Sequence, residues 1–527
     1  MFKDYKTPFY LFIILYLIIG SYFSLINGIT SDEFHEQRNL LVNLTAVKDF
    51  LTTGKYDELL SYRDRYHGVA FHLIAVPIQL LIKDFVINLN NVSTYGGFLM
   101  AKHVVVFFIF SISGVFFYFI LFKIIKDKKI SLLSTVIYLL YPYLLGHAQF
   151  NAKDIPFLSF WLICTFISLK LFESLYSKKQ IKIQNLILLS FVTAFLIGIR
   201  IAGLLIFVQY LVTFFIYLEK SNINFFSFLK KNYKNLLIVS ISIFLFTIIL
   251  NPIFWHNPLE IINSIKRMAQ YPQNIGTLTN GSLMYSLSLP SSYYFIWLFF
   301  KLPIIVLLGY CLFPFVETKV FKDEITTIYY GTIIITVPLI LVIFIFKDVA
   351  VYDELRHLLF IFPLILITAF SNLFYFFKRK IVFGLLFFVT FFFVIENFFL
   401  NPYQYTWLNS FAKFKNIEKN FEVDYWGVSN KNIQKKIIEY VDDKNIDKSI
   451  CIYGDFFVKE FLNPQNFECL KLYGQVDEAK VRPFIAYKNL RNVRRSDPKD
   501  CKLIWNETFK YSFTKKDISA GTVWYCD

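Results

Sequence analysis

Two groups of acidic residues stand at the ends of long apolar segments. Asp32 and Glu33 follow the first apolar segment, and Asp154 lies between the apolar segments 130–146 and 157–176. An ionisable side chain at a membrane boundary is costly when it faces lipid, so it usually faces water, a partner or a substrate. Two acidic sites at the edge of a helix bundle therefore predict chemistry at one face of a membrane.

The composition is that of a helical membrane protein. Of 527 residues, 56% are hydrophobic and 17% are charged, whereas soluble domains average about 45–50% and about 25%. Repeated apolar segments of about 20 residues are long enough to cross a bilayer as helices. The short alternating segments of a transmembrane barrel do not dominate. Much of the net charge of +16 lies in short loops, which favours membrane topology and anionic lipid, not nucleic acid, as its explanation.

The basic loops predict an orientation in the membrane, because cytoplasmic loops are enriched in Lys and Arg. Eleven membrane helices are expected, at 8–28, 101–122, 130–146, 157–176, 184–199, 201–218, 235–253, 292–314, 326–346, 357–377 and 381–398. The N-terminus is then cytoplasmic and the C-terminus outside, provided that the chain turns tightly at Arg200. Segment 66–83 is apolar but short, and we interpret it as a helix lying in the interface. Residues 29–100 then form one large outer loop.

The polar segment 401–527 predicts a small soluble α/β domain after the membrane module 1–400. Short strands are expected at 450–453 and 483–487, and an amphipathic helix at 430–442. The segment holds four of the six cysteines. On the outer side these are expected to form two disulfides, of which Cys451–Cys469 with Cys501–Cys526 is the simplest of three pairings. Free thiols are the alternative, since the spacing fits no zinc motif.

Several functions are disfavoured because their sequence signals are missing. The chain has no Gly-rich phosphate loop, no Walker sequence and no His/Cys metal spacing, which disfavours an ATP-driven transporter. Two similar halves with paired broken helices are also missing, which weakens the case for a secondary transporter. A flippase for lipid-linked glycans and a non-catalytic membrane scaffold remain as alternatives to an enzyme.

Eight short motifs occur in an order that can be compared with known families. They are Asp32-Glu33, Arg65-Tyr66-His67-Gly68, Phe150-Asn151-Ala152-Lys153-Asp154-Ile155-Pro156-Phe157, Gly198-Ile199-Arg200-Ile201-Ala202-Gly203, Asn251-Pro252-Ile253-Phe254-Trp255, Tyr352-Asp353-Glu354-Leu355-Arg356-His357, Asn401-Pro402-Tyr403-Gln404-Tyr405 and Asp424-Tyr425-Trp426-Gly427. With these motifs, residues 8–430 resemble the GT-C superfamily of integral-membrane glycosyltransferases. The similar branch contains protein O-mannosyltransferases and the aminoarabinose transferase of lipid A.

The resemblance implies a polytopic GT-C fold and transfer of a sugar from a polyprenyl-phosphate carrier to an acceptor hydroxyl, usually with inversion. The acceptor is a glycan, a lipid or a protein, and the expected location is a bacterial inner membrane with the C-terminal domain in the periplasm. Such an enzyme needs a carboxylate to take the acceptor proton. It also needs cations to hold the departing phosphate, and an apolar bundle to hold the lipid tail.

Carried over residue by residue, the resemblance assigns roles in the reaction. Asp32 is the expected base with Glu33 as its neighbour or substitute, and Asp154 orients the acceptor or supports Asp32. Four cations are expected at the donor phosphate: Lys153, Arg200, Arg356 and Arg65. Five further residues are expected to line the substrate: His67, Asn151, Trp255, Tyr352 and His357. The chain lacks the Lys-Pro-Pro that some relatives carry in the first loop, which puts the cation of that loop in doubt.

Structural roles compete with each assignment. Asp32 follows Thr30-Ser31 and could cap a helix, Asp154 could cap the helix that Pro156 opens, and Lys153 could extend to the interface. Asp353 and Arg356 could form a surface ion pair of small energy. Trp255 could anchor the interface. Neither acidic site contains an Asp-x-Asp pair, so no cofactor and no divalent metal are expected.

Overall fold

The structure is a computed structural model. It describes residues 3–269, 273–454, 459–462, 465, 467–472, 482–489, 497–512, 514 and 516–527. The helices of the first half are α1 (Lys3–Ile26), α2 (Ser31–Thr53), α3 (Asp57–Ser61), α4 (Ala70–Asn90), α5 (Thr94–Ile125), α6 (Lys128–Leu140), α7 (Pro142–Ala148), α8 (Asp154–Tyr176), α9 (Ile183–Ile199), α10 (Ile206–Ser221), α11 (Phe225–Leu250), α12 (Ile253–His256) and α13 (Glu260–Ala269).

The second half adds ten helices and two sheets to the described chain, a hairpin of β1 and β2 and a five-stranded sheet. The helices are α14 (Ser292–Lys301), α15 (Ile304–Cys311), α16 (Phe313–Val320), α17 (Glu324–Phe346), α18 (Phe362–Phe376), α19 (Arg379–Leu400), α20 (Ser410–Lys413), α21 (Ile417–Asn420), α22 (Asn430–Asp443) and α23 (Lys459–Leu462). The strands are β1 (Gly276–Thr279), β2 (Ser282–Tyr285), β3 (Cys451–Gly454), β4 (Leu470–Leu472), β5 (Phe484–Asn489), β6 (Lys502–Phe509) and β7 (Ile518–Cys526). Short 3-10 turns cover Ile201–Leu205, Arg356–Ile361 and Gln404–Thr406.

The helices confirm a multi-pass membrane protein. Within the described residues, eight helices are long and apolar enough to cross a membrane, and up to eleven spans result if each of three bent helix pairs counts as one. The predicted number, about eleven, equals the higher count, but the two sets differ: the candidate spans include α4, which was predicted to lie in the interface, and leave out α9, which has only 17 residues. The predicted tight turn is also present, since α9 ends at Ile199 and Arg200 is extended before the chain returns as α10.

Two predicted spans are broken, and the prediction of continuous helices there was wrong. Segment 292–314 bends by 118° between α14 and α15, and segment 130–146 bends by 59° between α6 and α7. Each break comes before a proline, Pro303 or Pro142. Proline has no N–H to donate and forces the residue before it out of the helical region. Leu302 and Tyr141 are accordingly extended.

The basic loops lie together on one face of the bundle, which we call the basic face. Lys123 Nζ of α5 is 2.7 Å from Glu173 Oε1 of α8. Lys126 Nζ is 3.1 Å from Asp323 Oδ2, just before α17. The opposite face, which we call the site face, carries the C-terminal ends of α1 and α9 and the N-terminal end of α8. Grouping of these loops on one face is what the predicted topology requires, and the side of the membrane on which that face lies stays a prediction.

Helix α4 lies where the interfacial helix was predicted, although it runs from Ala70 to Asn90 and not over 66–83. Both of its ends contact elements of the site face. Ala70 packs against Gly198 at the end of α9, and Asn90 Nδ2 donates to the carbonyl of Leu25 at the end of α1 (3.0 Å). These contacts support a helix lying along that face, although its length and apolarity also qualify it as one of the eight candidate spans.

The predicted α/β unit is present, but it begins with α22 at Asn430 and not at residue 401, because the segment 403–428 packs its apolar side chains into the core of the helix bundle. Its sheet has the order β4-β3-β5-β7-β6, parallel among β4, β3 and β5 and antiparallel for β6 and β7. Helix α22 packs Ile433, Ile437 and Val441, spaced by one turn, into the core beside the sheet. The disulfides are Cys451–Cys469 and Cys501–Cys526. This confirms the simplest predicted pairing, and the free-thiol alternative was wrong.

Candidate active site

The turn between α1 and α2 separates the roles of two adjacent carboxylates. The α2 helix begins with a capping box, in which the Glu33 carboxylate accepts hydrogen bonds from the backbone N–H and the hydroxyl of Thr30 (2.7 and 3.0 Å). Its other oxygen is 2.9 Å from His103 Nε2. Glu33 is therefore buried and holds the corner of the chain. The residue at the cap position is Thr30, so the structure does not bear out the alternative that Asp32 caps this helix.

Asp32 pairs with Arg356, which lies 324 positions further along the chain. Arg356 Nη1 is 2.6 Å from Asp32 Oδ2. The Asp32 side chain is 43% exposed, whereas that of Arg356 is 5% exposed. The guanidinium lies between the rings of Tyr352 and Trp426, at 4.7 and 4.8 Å from their centroids. A fixed cation therefore lies behind a carboxylate that reaches solvent.

Asp154 forms a second pair, with Arg200, at the meeting point of α8 and α9. Arg200 Nη2 is 2.5 Å from Asp154 Oδ1. Asn151 Nδ2 donates to the other oxygen of Asp154 at 2.9 Å. The Asp154 side chain is only 2% exposed, so both of its oxygens are engaged inside the protein.

Three members of the two pairs, Arg356, Asp32 and Arg200, influence one common residue, Tyr352. Burial raises the pKa of Tyr352 to about 12, while the charges of Arg356, Asp32 and Arg200 also act on it. The ring of His357 contacts that of Tyr352 at 4.6 Å between centroids. The structure thus brings together residues from both acidic sites, although they come from distant parts of the chain.

Buried donor groups in this cluster lack partners within the described protein. They are Nε of Arg200 and Nε of Arg356, and the buried Nδ1 atom of His357 likewise has no hydrogen-bond partner. A buried N–H without an acceptor loses free energy, and such groups in native structures often face a ligand. Two guanidinium groups with spare donors suit the oxygens of a phosphate.

Lys153 is placed beside this cluster, but its charge is already neutralised. Its Nζ atom is 2.9 Å from Glu36 Oε2 and donates to the carbonyl of Gly68 at 2.9 Å. Glu36 Oε2 also lies 3.1 Å from His72 Nε2. Lys153 thereby fixes the first loop to the N-terminal end of α8. These contacts give no support to the phosphate role that was expected for Lys153.

Two motifs of the sequence meet at Gly68. A Cβ atom on Gly68 would lie 2.1 Å from the carbonyl oxygen of Gly198. The loop of residues 65–68 can therefore approach the end of α9 only because position 68 has no side chain. This approach places the loop beside Arg200.

The remaining predicted residues lie at the edge of the cluster or outside it. Arg65 stacks on Tyr66 at 4.8 Å, and Tyr66 donates to Glu260. His67 Nδ1 is 4.0 Å from Glu36, behind Lys153. Trp255 donates to the carbonyl of Ile248 and packs on aromatic rings. Its contacts are those of an anchor, which leaves its predicted role without support.

A buried polar chain near the site includes residues to which sequence analysis gave no role. Lys301 Nζ is 2.7 Å from Glu354 Oε2, and both side chains are at most 1% exposed. Tyr425 links Glu354 (3.4 Å) to His147 (3.2 Å), and His147 lies 3.0 Å from Asn151, which holds Asp154. Burial raises the pKa of Glu354 to about 7 despite the nearby Lys301. The signal for Lys301 was available, since it is a lone charge in an apolar segment.

The loop that carries Tyr352 and Arg356 is held in an unusual conformation. Asp353 and Glu354 both have positive φ angles, 52° and 66°. Non-glycine residues in this region cost about 1 kcal/mol or more each, and they concentrate at functional sites. Thr277 of β1 accepts a hydrogen bond from the backbone N–H of Asp353 (2.9 Å). The β1–β2 hairpin therefore helps to position Arg356.

The start of the C-terminal segment closes the site. The backbone N–H of Ser31 donates to the carbonyl of Trp426 (3.4 Å). Asp424 is buried and accepts hydrogen bonds from the backbone N–H groups of Val428 and Ser429. This holds the turn in which Trp426 covers Arg356. The motif at 424–427 thus orders the Asp32 turn and Arg356 together.

An apolar groove runs from the site face between α15, α18 and α19. Its volume is about 880 Å³. Its lining includes Pro303, Leu308, Phe315, Leu373, Phe388 and Trp407. Pro303 lies two residues after Lys301, so the groove begins beside the buried polar chain.

No group of three or more metal-ligating residues occurs in the described parts of the chain.

Comparison with known proteins gives structural matches without sequence matches. No protein-family model and no curated protein sequence matches the chain. Two of the similar solved structures are ArnT from Cupriavidus metallidurans bound to undecaprenyl phosphate and the same protein in the apo state. The bound structure is 10% identical to this chain with a TM-score of 0.44, and the apo structure is 11% identical with a TM-score of 0.41. The matches cover 99% and 98% of this chain, respectively, and 98% of each ArnT chain. Similarity at this level carries no information about activity.

Proposed function

We propose that the protein is a membrane glycosyltransferase that moves a sugar from a polyprenyl-phosphate donor to the hydroxyl of a glycan, lipid or protein acceptor. The observation that carries the proposal is the cluster on the site face. It combines a half-exposed carboxylate, Asp32, with buried Arg356 and with Arg200, whose side chain is 19% exposed, and both arginines have unpaired Nε donors. The site face is then the outer face of a bacterial inner membrane.

The cluster offers each group that the reaction needs. Asp32 accepts the proton of the acceptor hydroxyl as the acceptor oxygen forms its bond to the anomeric carbon. The bond from that carbon to the phosphate oxygen breaks, and the polyprenyl phosphate departs with the electron pair. Arg356 and Arg200 hold the charge that develops on the phosphate. Attack opposite to the leaving group gives inversion.

The Asp32–Arg356 pair suits this sequence of events. A carboxylate bonded to a guanidinium is a weaker base than a free one, because the cation favours the charged form. When a donor phosphate takes over the hydrogen bonds of Arg356, Asp32 becomes the stronger base. Binding of the donor would thus activate the carboxylate that deprotonates the acceptor.

Two further observations favour a transferase of lipid-linked sugars over a flippase. The apolar groove offers a surface for a polyprenyl tail next to the site face. A transporter usually carries its substrate groups near the middle of the bilayer, whereas both carboxylate–arginine pairs lie at helix ends. The charges therefore face the membrane boundary.

The test combines binding and turnover with purified protein in detergent. We expect undecaprenyl phosphate to bind the wild type and D32N, but at least about tenfold more weakly to R356Q. With a panel of polyprenyl-phosphate sugars, D32N should lose about 10²–10⁴-fold of sugar transfer. The controls are D57N and R38Q, which change exposed residues of the same loop. Full transfer by D32N would remove the base assignment, and movement of the lipid-linked sugar with its glycosyl bond intact would identify a flippase.

A further inference from the structure

A second cavity lies on the basic face, between the end of α8, the loop that follows it, the end of α10 and the start of α11. Its volume is about 550 Å³, which is within the usual range of small-ligand sites, about 300–1,000 Å³. Asp154 and the cavity stand at opposite ends of α8. The helix has 23 residues, which correspond to about 35 Å. The cavity is thus separated from the candidate active site by the thickness of a membrane.

The charge of the cavity is one-sided. Lys178, Lys179, Lys220 and Lys231 line it, and no Asp or Glu does. Lys220 is paired with Glu219 at 3.0 Å. The other three lysines form no ion pair among the residues that the structure describes. Three uncompensated ammonium groups around one concavity attract an anion.

The rest of the lining is apolar or a neutral hydrogen-bonding surface. Buried Tyr217 and Phe228 form part of the wall, with Ser221 and Asn232 beside them. Next to the cavity, Phe226 at the start of α11 is 76% exposed. A lipid presents a charged headgroup joined to apolar chains, and it would contact both kinds of surface. A small inorganic anion would use only the lysines.

We propose that this cavity binds the phosphate group of an anionic membrane lipid, with the acyl chains lying along α11. Basic pockets between membrane helices on the cytoplasmic side are known to suit such headgroups. Each lysine near an anionic lipid surface contributes about 1 kcal/mol, or a factor of about five in affinity. Removal of three unpaired lysines is therefore expected to reduce the affinity by up to about 10²-fold, and by at least about tenfold if salt screens part of the attraction.

The test uses the triple variant K178Q/K179Q/K231Q of the full chain. The matched control, K230Q/K322Q/K380Q, removes the same charge from exposed lysines that do not line the cavity. Lipid retention is measured by native mass spectrometry in detergent, with phosphatidylglycerol or phosphatidylcholine added. A separate arm adds glycerol 3-phosphate as a soluble source of the same group.

We expect phosphatidylglycerol to bind the wild type and the control variant, at least about tenfold more weakly to the cavity variant, and more weakly in high salt. Equal retention by the cavity variant and the control would overturn the proposal. Binding of glycerol 3-phosphate without a preference for phosphatidylglycerol would overturn the assignment to a lipid. Sugar transfer is a separate readout, so failure of the proposed transferase activity leaves the result of this experiment unaffected.

Discussion

The sharpest test of the site geometry is a single methyl group at Gly68. In G68A the new Cβ would lie 2.1 Å from the carbonyl oxygen of Gly198 and 2.9 Å from the carbonyl carbon of Ile199. Ordinary contacts of this kind begin near 3.4 Å. Because the neighbours are backbone atoms and not the tip of a flexible side chain, the first loop must move away from α9 by about 1 Å.

This displacement reaches the candidate site by two routes. The carbonyl of Gly68 accepts a hydrogen bond from Lys153, the residue before Asp154. Gly198 lies two residues before Arg200, which is the partner of Asp154. Overpacking of this kind costs about 1–3 kcal/mol of stability, and a misplacement of about 1 Å in a catalytic group lowers rates by about 10²-fold. We therefore expect a folded protein with strongly reduced sugar transfer.

The measurements are the apparent melting temperature in detergent, the affinity for undecaprenyl phosphate and the rate of sugar transfer. The matched control is G384A, since nothing lies within 4 Å of a Cβ at that position. In G384A all three quantities should stay close to the wild type, since an alanine fits there. If G68A behaves like G384A, then the loop does not press against the end of α9, and the account of how Arg200 is positioned fails.

Three other changes have expected outcomes. D154N should lower the melting temperature more than D32N, because Asp154 is 2% exposed and holds both Arg200 and Asn151, whose loss costs about 1–3 kcal/mol. Asp32 is 43% exposed, and Arg356 keeps Asp353 as a counter-charge without it. Equal effects of the two changes would contradict this. The pKa of Glu354 is raised from 4.5 to about 7, so the stability that protonated Glu354 contributes is complete below pH 4.5 and is lost as the pH rises to about 7. The melting temperature of the wild type should therefore fall over this pH range, and that of E354Q should not show this fall. An unchanged fall in E354Q would assign it to another group. C501S removes the disulfide that closes a loop of 25 residues, and it should destabilise the C-terminal domain by about 3 kcal/mol. The measurement is the sensitivity of the domain to protease, and the control is C311S, which changes a free cysteine.

Features encoded locally were predictable from the sequence. Apolar segments and basic loops predicted the helices and their grouping because both follow from transfer of side chains into lipid. Prolines were the weak point, since a count of apolar residues ignores the missing N–H of Pro303 and Pro142. The disulfide pairing followed from the order of the cysteines alone.

The sequence predicted which residues belong to the candidate site better than it predicted which of them contact each other. Asp32 and Arg356 are 324 positions apart, and a single sequence does not tell which distant charges meet. The division of roles between Asp32 and Glu33 had a local signal, because Thr30 followed three residues later by Glu33 is the pattern of a capping box. That pattern assigns Glu33 to the helix end. No local pattern of this kind indicates that Glu354 is the partner of Lys301.

Exposure decides which of the two paired carboxylates suits the role of base. A base must reach the proton of a substrate, and it must be able to release its cation. Asp32 has a side chain that is 43% exposed, and its partner Arg356 also lies 3.4 Å from Asp353, so the arginine keeps a counter-charge when Asp32 leaves it. Asp154 is 2% exposed, and its oxygens are held by Arg200 and Asn151. Release of Arg200 would leave the carboxylate of Asp154 in the interior without its charge partner, which is costly. Asp154 is thus the better support, and Asp32 the better base.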